Sequence, residues 1–192
     1  MSGELGRKAD AMAQMAGYVD ATLTNVLTEA AKDLRKRAVK QITGKLALPS
    51  GYVAQHIRVI KPRKTGTNIE AGIQGTKRGV LLSRYPSQQL WAPKKHGNGR
   101  KRAGISGSVI KGSTYSAPKF FYIPGLRNGT GTGIAMRTGR GRSAYKVLHS
   151  LSVNQMLNHD GDDLLAATID KFGSLGEQLA GEIVGRWEVQ AK

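Results

Sequence analysis

Apolar positions recur at steps of three and four through the first fifty residues: Met12, Met15, Val19, Leu23, Val26, Leu27, Ala30, Leu34, Ala38, Val39 and Ile42. That period puts them on one face of an α-helix. No proline interrupts Ala9 to Leu48, Gly44 offers a stop and Pro49 enforces one. Asp10 and Asp20 come early, while Lys36, Arg37 and Lys40 come late, the order the helix dipole favours. About thirty such residues would reach roughly 45 Å. A helix of that length either packs against other elements throughout or is shared with a second subunit.

The stretch 48–61 fits two patterns. Pro49-Ser50 can start a short helix carrying Val53, Ile57 and Ile60, or His56 to Ile60 can be a strand; the short helix is preferred. From Thr67 the period drops to two, and Thr67 to Ile73 reads as a half-buried strand. Gly75 to Gly79 reads as a turn and Val80-Leu81-Leu82 as the returning strand of an antiparallel hairpin.

Ala92 to Gly107 breaks both periods. Pro93, Lys94, Lys95, His96, Gly97, Asn98, Gly99, Arg100, Lys101, Arg102 and Gly104 crowd together there. Nothing in this run is expected to join a core. It reads as a basic loop or the tip of a hairpin arm over about 88–111, with Gln88–Trp91 and Gly107–Lys111 as its strands. Lys119-Phe120-Phe121-Tyr122-Ile123 is the strongest apolar run and is expected to be buried. Ile134–Thr138 and Tyr145–Leu148 read as short strands around the basic turn Gly139–Arg142.

A helical turn is expected at Val153–Leu157. Behind Asp160, Asp162 and Asp163, a stripe of Leu164, Leu165, Thr168, Ile169, Phe172, Leu175, Leu179, Ile183 and Trp187 predicts a closing helix. The order helix, strands, helix predicts one α+β domain over residues 1–192. Its long N-terminal and C-terminal helices would pack on a small, mostly antiparallel sheet that carries the basic arm.

Charge sharpens this picture. The chain has 30 Lys and Arg against 13 Asp and Glu, for a net charge of +17. Between Arg35 and His159 there are 24 of the basic residues and a single acid, Glu70. Such a field attracts polyanions and speeds encounter with them. Lys94, Lys95, Arg100, Lys101 and Arg102 form the first candidate contact patch; Arg137, Arg140 and Arg142 form the second.

The residues that catalysis requires are sparse. With no Cys in the chain there is no disulfide, thiolate metal site or Cys nucleophile. The four histidines, His56, His96, His149 and His159, are scattered. His159 with Asp160, Asp162 and Asp163 lacks the calcium-loop pattern and is better read as helix capping. Gly129 to Gly133 lacks the Gly-Lys-Ser/Thr ending of a phosphate-binding loop. Neither an enzyme, a cofactor nor a bound metal is expected. No run of 18 apolar residues suggests a membrane span.

One stretch carries a family resemblance. Phe121-Tyr122-Ile123-Pro124-Gly125-Leu126-Arg127-Asn128-Gly129 resembles the segment of the phage minor tail protein Z family in which an aromatic residue precedes Leu-Lys-Asn-Gly. A short strand ending in Arg follows, here Ile134 to Thr138. Then come a basic turn at Gly139 to Arg142 and an aromatic-led apolar strand from Tyr145 to Leu151. The long first helix, the basic arm and the total length are similar in kind. The sequence departs at Ser150-Leu151-Ser152, where that family often has Ile-Pro.

The resemblance implies a tail-completion protein, non-enzymatic and resident in the tail or neck of the virion after assembly in the host cytoplasm. It implies a ring of copies, commonly six. It also implies contact with tail-terminator, tail-tube or head–tail connector proteins, and with DNA in the channel. The charge pattern alone fits a second reading, a nucleic-acid-binding protein without sequence preference. A nuclease would need carboxylates beside the cations, and the block from Arg35 to His159 offers only Glu70.

Overall fold

The computed structural model describes residues 2–66, 68–126, 131–141, 143–159, 166 and 181. Helix α1 runs from Ser2 to Lys45. At 44 residues it spans about 66 Å, longer than the period alone predicts, because no proline stands before Ala9 either. Ion pairs along its surface, Glu29–Lys32 at 2.7 Å and Asp33–Arg37 at 2.8 Å, follow the helical spacing. Thr22, Thr24, Thr28 and Thr43 donate their hydroxyls to carbonyls four residues back.

The stretch 48–61 divides between its two patterns: the preferred short helix forms but carries only Val53, while Ile57 and Ile60 lie on a strand. Helix α2 is Ser50–Gln55, and strand β1 is Ile57–Thr65. His56 caps α2, with its ring stacked 4.1 Å from that of Tyr52 and its Nδ1 donating to the Tyr52 carbonyl. Strand β2, Asn68–Gly75, pairs with β1. The strand β3, Gly79–Leu81, was expected to return against β2; it pairs instead with β10, His149–Ser152. A three-residue strand leaves little ladder for a local hairpin. A 3-10 turn at Leu82–Arg84 follows.

Strands β4 (Ser87–Pro93), β5 (Arg100–Gly107) and β6 (Tyr115–Ala117) form one antiparallel sheet. Strands β7 (Phe120–Leu126), β8 (Gly131–Arg137) and β9 (Tyr145–Val147) form another. Helix α3, Val153–His159, comes where a helical turn was expected. Its start is a capping box: the Gln155 N–H donates to Ser152 Oγ, and the Ser152 N–H donates to Gln155 Oε1. The closing-helix stripe from Leu164 to Trp187 lies outside the described residues, apart from two isolated positions.

The chain divides into two compact units. One comprises 38–57 and 75–159; the described parts of the other are 2–37, 58–66, 68–74, 166 and 181. Among the described residues, Ala31 is the only buried hydrophobic side chain of the second unit. The rest, including Ile42, Val53, Ile57, Val80, Ile105, Ile134 and Val153, make the core of the first. In the second unit α1 leaves Met12 64% exposed, and Lys64 pairs with Asp20.

Two burial expectations are corrected. Phe120 to Ile123 is only half-buried, because β7 is an edge strand; the buried strand is the central β8, through Gly133, Ile134 and Ala135. The basic run was expected to join no core, yet its far end does: Ile105 on β5 is fully buried.

Candidate nucleic-acid interface

The first unit contains 17 of the 30 Lys and Arg and none of the 13 Asp and Glu, so it carries the whole formal charge of +17. The rest of the chain holds 13 residues of each sign and sums to zero. No ion pair can form within the first unit. The Arg84 guanidinium lies 5.6 Å from the centre of the Tyr52 ring.

The first candidate patch is the end of the β4–β5 hairpin. Its strands extend further than the sequence suggests. The second strand is the basic run itself, Arg100–Gly107; of the expected strand Gly107–Lys111 only Gly107 belongs to it. Pairing with β4 holds the lysines and arginines in extended backbone, which overrides their loop-like composition. The turn closes through the Lys94 N–H, which donates to the Gly99 carbonyl at 3.0 Å. Lys94, Lys95, Arg100, Lys101 and Arg102 are all exposed, with His96 beside them at the tip. The structure therefore gathers all five on one arm.

The second candidate patch is not a set of free cations. Arg137 ends β8 and donates Nη1–H to the Gly141 carbonyl at 2.9 Å. Its guanidinium also lies 5.1 Å from the centre of the Phe121 ring, which meets Tyr145 edge-on. Arg137 thus holds its own turn together. Arg140 is exposed in that turn, and Arg142 lies outside the described residues. The patch sits on a different sheet from the arm.

Three further residues shape the arm. Trp91 on β4 is 54% exposed. Gln89 donates its amide N–H to the Gly104 carbonyl at 2.6 Å and the Leu90 carbonyl at 3.1 Å. Gly104 has φ +110°, which favours glycine. An exposed Trp in a period-two run can be read from sequence, but the Gln89 clamp depends on a ladder register that no local pattern encodes.

Elsewhere the unit offers shallow recesses. One, of about 510 Å³, is lined by Leu48, Pro49, Arg84, Tyr85, Pro86 and Lys111. Tyr85 is buried and its hydroxyl has no hydrogen-bond partner of good geometry. Burial pushes its pKa above the ordinary value of 10.0, while the nearby Ser150 side chain pulls partly back. Among the described residues no three of His, Asp and Glu come together as metal ligands. No described helix is long and apolar enough to cross a membrane. No family model, curated protein or solved structure matches this chain.

Proposed function

We propose that this chain is a non-enzymatic structural protein of a phage tail or neck, completing the tail and helping head–tail joining around the DNA channel. The single observation that carries the reading is the exposed five-cation arm on a unit with no acidic residue. A channel lining must tolerate every sequence that passes, and unpaired surface cations contact phosphates without reading bases. The resemblance through Phe121 to Leu151 supplies the assembly context. In this reading copies of the chain form a ring of six that meets tail-terminator, tail-tube or connector proteins.

The test is absolute copy number in purified particles, by quantitative mass spectrometry against the major tail-tube protein. A small fixed number, near six or twelve, supports a ring at one level. Absence from particles overturns the reading and leaves a free nucleic-acid-binding protein, for which the same arm and the exposed Trp91 would serve.

A further inference from the structure

The β4–β5 ladder slips by one residue between Leu90 and Trp91. Leu90 faces Gly104, so an unbroken ladder would set Trp91 opposite Ala103 and Ala92 opposite Arg102. The slip leaves Ala103 unpaired and sets Trp91 opposite Arg102, Ala92 opposite Lys101 and Pro93 opposite Arg100. Opposed residues share a face of the ribbon, as do alternate residues along a strand. One face of the arm therefore carries Trp91, Pro93, Arg100 and Arg102, and the other carries Ala92 and Lys101.

The slip is held in place from two sides. The Gln89 amide spans it to the Leu90 and Gly104 carbonyls. Gly104 takes its positive φ against the backbone of Ala117 and Pro118. What this fixed geometry presents is an indole more than half exposed, with no ring or cation contact to it among the described residues.

A duplex needs only the charges, because its base faces are stacked inside. An unpaired base has a free face that an indole can cover, and flanking guanidiniums can take the neighbouring phosphates. We propose that this face of the arm binds single-stranded nucleic acid, with a base stacked on Trp91 and the adjacent phosphates held by Arg100 and Arg102. The inference rests only on the arm's being a nucleic-acid contact, which the channel lining and the free nucleic-acid-binding protein share, and adds the state of the strand.

The test is fluorescence anisotropy of the full chain with labelled oligo-dT, oligo-U and a duplex of equal length at one salt concentration. The wild type is expected to prefer one or both single strands over the duplex, and the tighter of the two identifies the source. Trp91→Ala should weaken single-strand binding about tenfold and leave duplex binding within about twofold. Trp91→Phe should retain most of the affinity, which separates stacking from a folding defect.

Equal single-strand binding by the wild type and Trp91→Ala overturns the stacking site and leaves the arm as a duplex track. Unchanged binding of every probe after Lys94, Lys95, Arg100, Lys101 and Arg102 are all replaced by Gln overturns the arm as a nucleic-acid contact, and the stacking site with it.

Discussion

Gly104 leaves no room for a side chain in front of Pro118: an added Cβ would lie 2.5 Å from the Pro118 Cα and run into the Ala117 carbonyl. The same residue sits at φ +110°. Both constraints act on the strand that carries the basic arm and, one residue further on, the buried Ile105. Gly104→Ala should therefore cost about 3 kcal/mol of unfolding free energy in urea. A loss under about 1 kcal/mol would mean that the ladder slip relaxes freely.

Replacing Lys94, Lys95, Arg100, Lys101 and Arg102 together by Gln should leave the far-ultraviolet circular dichroism near wild type, since all five are exposed, and the melting temperature at or above wild type, since it removes mutually repelling charges. In a phage that encodes the chain, the yield of infectious particles should fall. Unchanged yield and infectivity would remove the arm from assembly.

Salt should stabilise this protein. The 38–57 and 75–159 unit holds cations with no acid to offset them, so its folded state repels itself. Raising sodium chloride from about 50 to 500 mM shortens the Debye length to a few ångströms and should raise the melting temperature by several degrees. A fall in melting temperature would show that attraction dominates. A bound polyanion should raise it further by mass action.

Tyr85 gives a pH test with a definite sign. Its folded pKa lies above the ordinary 10.0 because burial disfavours the phenolate. Above pH 10 the unfolded chain loses this proton first, so the folded state binds more protons and stability falls with rising pH. The contribution is complete below pH 10 and is lost as pH climbs through the folded pKa. Tyr85→Phe should flatten that alkaline limb in urea titrations. At pH 7 it should leave stability unchanged or raise it by up to about 1 kcal/mol, because it removes an unpaired buried hydroxyl. A loss of more than about 1 kcal/mol at pH 7 would show that the hydroxyl is paired.

The parts legible in the sequence were those encoded by neighbours in the chain. The three-and-four spacing from Met12 to Ile42 gave α1, and Pro49 gave its limit. The basic residues marked the arm tip because lysine, glycine and proline crowd there. What failed was pairing at a distance. Leu81 finds His149 across the ladder, a partner 68 residues on, which no local period can specify. Phe120 and Phe121 looked like core because they are the densest apolar run, but edge position decides burial, and β8 holds the centre through Ile134. Trp91 was visible as a residue, but its place opposite Arg102 follows from the slip at Leu90.

The absence of carboxylates from the 38–57 and 75–159 unit also bears on its behaviour in acid. Acid unfolds most proteins by protonating carboxylates that the native state holds in ion pairs or hydrogen bonds. This unit has none to protonate. No carboxylate contact inside this unit is therefore available for acid to break, whereas the other unit places carboxylates in the Asp20–Lys64 and Asp33–Arg37 pairs. One chain joins a unit free of carboxylate side chains to a unit that holds all thirteen of them.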